Sequence, residues 1–432
     1  MYYKDYDGVK VTFPSTRENI EEHVYVVPKP TGEDDSDLIQ KALDRGKGGI
    51  VFLPPYTYKS SKTLYVPEFT SFIGSGLESH IEFTGSDDLD EIPLRTIGSK
   101  STIKPFITNE RPEGVLKTQG VFICNIHVTG EEVTDETRLG GVVFADAENC
   151  HTDLVFVNYV NWSPDHNVGR RGFNLLTVRS VNCTFNRGML DHGGYECLGI
   201  YDDSINIMVT NVLMKNGMRC SAQIHQGAKD IIFTNNTLIL DEAGDYTNGN
   251  LLLHGREGED TTVKDVLISD NIMRYTGSVE ESTVGIAMIE YTEDVTINNN
   301  IIKGQTYGVN MGGMCRNFDV SNNEIDVTDI GVRSGTSSNI PGRFLEGMTK
   351  IQGNSIVGCK TGISLLNAET ELITGNYINA DDYGISLDTI VEGALIDNNV
   401  IKAGVSHYRG FGESDDNITI GENLLLDELE QN

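Results

Sequence analysis

From about residue 140 to the end of the chain one unit keeps returning: a short apolar strand, often opening with Gly, then a few polar residues and a second apolar strand that closes in Asn. Gly285-Ile-Ala-Met leads to Val-Thr-Ile-Asn-Asn-Asn300, Gly308-Val-Asn-Met to Phe-Asp-Val-Ser-Asn-Asn323, Gly362-Ile-Ser-Leu to Leu-Ile-Thr-Gly-Asn376, and Gly384-Ile-Ser-Leu to Leu-Ile-Asp-Asn-Asn399. The closing asparagines set the period: 23 residues from Asn300 to Asn323, 22 from Asn354 to Asn376, 23 from Asn376 to Asn399 and 24 from Asn399 to Asn423. Longer steps, such as Asn236 to Asn271, hold polar insertions such as Gly-Arg-Glu-Gly-Glu-Asp-Thr-Thr and are read as loops.

A unit of two dozen residues with period-2 alternation cannot bury its apolar face alone. Stacking such units one strand spacing apart, ~4.8 Å, aligns like side chains into ladders and makes a continuous core. The closing Asn then tolerates a left-handed backbone and hydrogen-bonds the Asn of the next coil. Leucine-rich repeats have a similar period but need a helical half and an L-x-x-L-x-L frame, which are missing. The expected fold is all-β, a right-handed parallel β-helix solenoid, and so one array can absorb all 432 residues.

Charge excludes some partners. With 64 acidic and 33 basic side chains the formal charge is −31, which repels phosphate backbones and anionic lipid. Nucleic acid is therefore not an expected partner, and the plain reading of the acidity is a solubilising surface. No apolar run approaches the ~20 residues of a membrane-spanning helix, so membrane insertion is not expected. The N-terminal Met-Tyr-Tyr-Lys-Asp-Tyr-Asp-Gly has the pattern of no secretory signal. Seven scattered cysteines, with no C-x-x-C, read as small buried hydrophobes rather than a zinc site or disulfide framework.

Upstream, Asp34-Asp35-Ser36-Asp37-Leu38-Ile39-Gln40-Lys41-Ala42-Leu43 predicts an amphipathic helix at about 35–45, with Leu38, Ile39, Ala42 and Leu43 on one face. Gly48-Gly49-Ile-Val-Phe-Leu-Pro-Pro-Tyr-Thr-Tyr58 then gives a helix stop, a buried strand and a turn. The helix is the expected N-terminal cap of the solenoid. The division expected is an N-terminal extension 1–30, the β-helix 31–426 and a tail 427–432.

The run from Asp34 to Tyr58 resembles the opening of the pectate-lyase-like single-stranded β-helix proteins, where an acidic-capped helix precedes G-G-x-V-x-L-P-x-G-x-Y; here Tyr56 replaces the usual Gly. The resemblance covers most of the chain from about residue 30. It implies the fold, and a reaction only within a broad set: polysaccharide lyases, polygalacturonases, uronan epimerases and phage tailspike depolymerases. The polygalacturonase signatures are missing, the nearest match to D-D-C being Tyr195-Glu196-Cys197, and the epimerase D-P-H is matched only loosely by Ser163-Pro164-Asp165-His166. The tailspike resemblance implies a homotrimer and an extracellular or virion-associated location.

Aligning successive coils puts Ile200, Ile224, Leu253 and Met288 in one inward ladder and Tyr201, His225, His254 and Ile289 next to it, pointing outward. Around that stripe fall Glu196, Asp202 and Asp203, Asp191 and His192, Tyr195, Arg219, Gln223, Arg256 and Glu290-Tyr291. Seven of the 16 arginines lie between 170 and 274, Arg170 and Arg171 among them, which suits a carboxylate-bearing glycan because a guanidinium pairs with a carboxylate bidentately. The single tryptophan, Trp162, precedes these on a polar stretch where it can stack on a sugar ring or anchor the loop.

These residues support a depolymerase acting on a uronic-acid-containing polysaccharide by β-elimination. His225 or His254 is the base, Tyr201 the acid, and Arg219 with Arg256 the neutralising charge. The competing enzyme is a glycosidase pairing Glu196 with Asp202 or Asp203, and the non-enzymatic alternative is a glycan-binding virion spike or adhesin. Trp162, Arg170, Arg171, Asp191, His192, Tyr195, Asp203, Gln223, Arg256, Glu290 and Tyr291 are the expected substrate contacts. No cofactor is firmly implied; Ca2+ stays open, since the acidic pairs are too scattered for a recognisable loop.

Overall fold

The computed structural model describes residues 2–6, 9–13, 24–85, 89–96, 99–109, 118–130, 138–160, 171–241, 249–258, 260–277, 282–335, 345–387, 391–410 and 417–426. The chain divides into two compact units, Met1–Leu198 and Gly199–Asn432.

In the first unit the sheet is built of parallel strands: Ile50–Phe52 pairs with Ser71–Phe83, that strand with Phe122–Gly130, and the series continues through His151–Asn158 to Val181–Asp191. Among the described residues of this unit two pairings are antiparallel, Tyr2–Tyr6 with Val9–Phe13 and Ile92–Thr96 with Ser99–Asn109. The helix Ser36–Arg45 forms as the pattern predicts and buries Ile39, Ala42 and Leu43, spaced i, i+3, i+4, against the strands Val24–Val26 and Leu64–Val66. Tyr56, where the opening pattern that this run resembles has Gly, is not in the left-handed region, so glycine's freedom is not needed there.

The second unit is a stack of coils with parallel pairing from each coil to the next, the parallel β-helix expected from the repeat, and parallel connections of this kind wind right-handed. Rows of inward residues form the core: Ala222, Leu251, Ile286, Val309, Val332, Ile363 and Ile385 in one, Val266, Val295 and Phe318 in another, all buried.

The asparagine ladder is continuous. Asn236, Asn271, Asn300, Asn323, Asn354, Asn376 and Asn399 each donate their backbone N–H to the Oδ1 of the next, at 2.9 to 3.0 Å, ending on Asn423. One expectation is corrected in detail: the buried ladder asparagines are not the left-handed residues. That conformation belongs to the residue before them, Asn235, Asp270, Asn299, Asn322, Gly353, Gly375 and Asn398. The turn thus divides two jobs between neighbours, one taking up the backbone bend and one making the hydrogen bonds.

The recurring glycine that opens the first strand has a steric cause. A Cβ on Gly285, Gly308, Gly331 or Gly362 would stand 2.4 to 2.7 Å from the carbonyl oxygen of the next glycine in the row, so the coils approach too closely for any side chain. The insertion after His254 is a loop as read, closed by Arg256 N–H to Thr261 O at 3.0 Å. Among the described residues no helix is long and apolar enough to cross a membrane, and of the seven free cysteines six are buried.

Candidate functional site

In the second unit the predicted stripe assembles. Ile224 pairs with Leu253 and Leu253 with Met288, all buried inward, which leaves His225 and His254 as paired neighbours on the outer side. The Tyr201 and His225 rings lie 4.7 Å apart, and His225 meets His254 edge to face at 5.2 Å. The Tyr201 hydroxyl donates to Gln223 Oε1 at 2.8 Å, and Arg219 Nη1 donates to the same oxygen at 3.0 Å.

One expectation fails here. Tyr201 and His225 point away from the lumen yet are each only 3% exposed, so they are not surface residues. The outer face of these coils is itself covered: Gln223 is fully buried, and beside it Cys220, Leu252 and Ala287 form an apolar cluster with Val284 packed on it. The reachable groups are half-buried: His254, Arg219, Arg256, Glu290 and Tyr291.

Electrostatics follow from that burial. His225 is pushed down to about 3, mainly by desolvation and then by the charges of His254, Arg219 and Arg256. His254 is also lowered, by burial first, then by Arg219 and Arg256, with Glu290 acting the other way. Both imidazoles are therefore neutral at pH 7, and the Nδ1 of each has no hydrogen-bond partner among the described residues. The Arg256 guanidinium is lowered by desolvation, with the Asp202 carboxylate opposing the shift.

Asp202 and Asp203 form a turn, both with left-handed backbones, and Asp203 N–H donates to Gln226 O at 3.1 Å. Asp202 is only 4% exposed, unlike a solvated turn residue, whereas Asp203 is exposed.

The remaining predicted residues belong to the first unit. His192 Nδ1 lies 2.7 Å from Asp191 Oδ1, and its ring stacks on Tyr159 at 4.7 Å. Tyr195 packs edge-on against Phe173, and Glu196 is fully buried. Tyr159, a 42% exposed aromatic, was not anticipated; only the register placing Asn158 opposite Asp191 brings it to His192. Trp162 and Arg170 lie outside the described residues, as does the side chain of Arg171. The arginine concentration is not one patch: Arg179 binds Asp146 with Nε at 2.8 Å, and Arg187 binds Asp153 likewise.

The family profile that matches is NosD, periplasmic copper-binding protein, over residues 248–410, which is less than half of the chain. No curated protein matches the chain. Among solved structures it is similar to the A-module of mannuronan C-5 epimerase AlgE6 from Azotobacter vinelandii, with 16% identity, a TM-score of 0.62, and coverage of 94% of this chain and 98% of that one. It is similar to the catalytic unit of an α-1,3-glucanase from Streptomyces thermodiastaticus, with 14% identity, a TM-score of 0.56, and coverage of 95% and 69%. It is also similar to the surface adhesin PfbA of Streptococcus pneumoniae, with 12% identity, a TM-score of 0.56, and coverage of 94% and 99%. At such identities the likeness establishes the parallel β-helix fold alone.

The described residues do not fit the copper of the NosD description. Cys315 and Cys359, within the matched segment, are core thiols pushed up to about 12 by burial. Among the described residues no three His, Cys, Asp or Glu side chains converge to hold a metal ion.

Proposed function

We propose that the His254 face of the second unit acts on a uronic-acid-containing polysaccharide by removing the proton next to the sugar carboxylate, with β-elimination as the outcome. The observation that carries this reading is the half-buried, neutral imidazole of His254, whose basicity is lowered first by burial and then by two guanidiniums, Arg219 and Arg256. A neutral imidazole can accept a proton, and positive charge beside it stabilises the carbanion that forms at C5 of a uronate.

In the elimination, His254 takes the C5 proton and the electron pair expels the oxygen at C4, which must then be protonated. His254 is preferred to His225 as base because substrate can reach it. The Tyr201 hydroxyl donates to Gln223 and is buried, so Tyr291, half-buried in the coil that follows that of His254, competes with it for the acid role.

Three neighbours are named as enzymes of polysaccharides, a mannuronan epimerase, an α-1,3-glucanase and an exopolygalacturonase, and two others as a tailspike and a surface adhesin. These names support a carbohydrate ligand. The tailspike and adhesin, with the periplasmic NosD description, favour a place outside the cytoplasm. A homotrimer stays part of the proposal, and Ca2+ dependence is to be read by adding a chelator.

The test is incubation with a panel of acidic and neutral polysaccharides. Ultraviolet absorbance of an unsaturated uronate supports elimination. New reducing ends without it mean hydrolysis, solvent deuterium at C5 without cleavage means epimerisation, and binding with no product of any kind means a spike or adhesin.

A further inference from the structure

Beyond His254 one outward row of the second unit changes character from coil to coil. Leu252 pairs with Ala287, Ala287 with Asn310, Asn310 with Arg333, Arg333 with Ser364 and Ser364 with Ser386. The first two belong to a buried apolar cluster, whereas the members from Asn310 to Ser386 are polar. Arg333 stands between Val332 and Ser334, both fully buried, so strand alternation turns its side chain outward.

Arg333 is half-buried, and its buried Nε has no hydrogen-bond partner among the described residues. A desolvated guanidinium N–H without an acceptor is costly, so packing does not account for this residue while a bound acceptor would. The carboxylate of the same coil is engaged elsewhere: Asp329 lies 3.7 Å from Lys360 Nζ and accepts the Tyr307 hydroxyl. Burial and then Asp329 raise the pKa of Tyr307, with Arg333 acting the other way, so the guanidinium charge is felt at that hydroxyl.

Leu252 shares its strand with His254, and Arg333 lies three coils further along. At one strand spacing per coil that is ~14 Å, which a linear glycan laid along the coils covers with a few rings. We propose that Arg333, flanked by Asn310 and Ser364, is a subsite for the carboxylate of a further uronate unit, so that the polysaccharide runs along the solenoid from the His254 face. This rests on the reading of that face given above and adds the direction and reach of the substrate. The guanidinium fork pairs a planar carboxylate through two parallel N–H bonds, and Nε–H is one of the donors that such a pair uses. Half-buried Asn310, one coil nearer His254, offers its amide to the sugar between.

The experiment follows the Arg333 Nε–H signal by NMR in the full chain, assigned by its loss in Arg333→Gln. The probes are oligouronates of increasing length, a neutral oligosaccharide and sodium acetate. The signal is expected to move with the longer oligouronates and to stay still with the neutral sugar. The affinity of Arg333→Gln for the longest oligouronate should fall about ten- to a hundredfold, the size of a charge-assisted contact. A signal unmoved by every oligouronate overturns the proposal, as does a response no larger than that to acetate at equal carboxylate concentration. Unchanged affinity in folded Arg333→Gln overturns it too; if that variant does not fold, the signal of the unmodified protein decides. Turnover of a uronan with a silent Arg333 removes this subsite and leaves the His254 reading, whereas an Arg333 response without any turnover does the reverse.

Discussion

Asn300 donates to Asn323 twice: its backbone N–H at 2.9 Å and its side-chain amide at 3.0 Å converge on one Oδ1. Asn323 passes both bonds on to Asn354 and also donates to Ile297 O at 2.9 Å. These three rungs are buried, so removing one leaves a main-chain N–H of the previous coil without its acceptor. Asn323→Ala should cost on the order of 3 kcal/mol, the sum of the unsatisfied groups it creates. Asn423→Ala, on the half-buried last rung, should cost clearly less. Equal urea midpoints for the two variants would contradict the ladder as a source of stability.

Two glycines separate steric need from conformational need. A Cβ on Gly331 would stand 2.2 Å from Ile356 Cγ2 and 2.6 Å from Gly362 O, whereas a Cβ on Gly375, at φ +67, meets nothing nearer than 3.9 Å. Gly331→Ala should therefore destabilise by about 1–3 kcal/mol through overpacking. Gly375→Asn should be nearly neutral, because Asn299, Asn322 and Asn398 hold the same turn position in other coils. Thermal melts of the pair check this, and a loss from Gly375→Asn as large as that from Gly331→Ala would contradict it.

The repeat made the fold legible because every rung obeys the same local physics, so Asn300 and Asn323 announce themselves by spacing. The outward direction of His225 and His254 was legible for the same reason, since strand alternation fixes which side a residue faces. Burial was not legible. Whether an outward row meets water depends on what covers the coil, and Tyr201 and His225 are covered. Nor could spacing pair Tyr159 with His192, because they sit in turns of different coils whose register only the structure gives.

His225 is buried and neutral, and its Nδ1 has no hydrogen-bond partner among the described residues. His225→Leu exchanges it for an apolar side chain, and the outer position one coil beyond His254 is already Ile289. Its stability cost should stay within about 2 kcal/mol, above the ~0.5 kcal/mol of an exposed site. His254→Leu should abolish turnover with a similarly modest cost, while His225→Leu lowers it by disturbing the His254 ring. Product formation and melting temperature measured on the same samples test this, and full activity in His254→Leu would move the search to another face.

Glu371 is a buried carboxyl that the repeat did not foretell. Glu371 takes the inward position that Phe318 and Thr349 hold in the preceding coils, and Ser334 Oγ donates to its Oε1 at 2.6 Å. Burial raises its pKa from 4.5 to about 8, with the Ser334 bond opposing the shift. Below pH 4.5 the carboxyl is protonated in folded and unfolded chains alike. Between that pH and 8 only the unfolded chain releases the proton, so folding loses stability as pH rises through this window. Glu371→Gln keeps an acceptor for Ser334 and removes the titration. It should be more stable than the unmodified protein at pH 7 by on the order of 3 kcal/mol, with the advantage shrinking toward pH 4. Urea denaturation at pH 4.5, 6, 7 and 8 reads this directly; a constant difference across that range would mean that Glu371 is not held protonated in the fold.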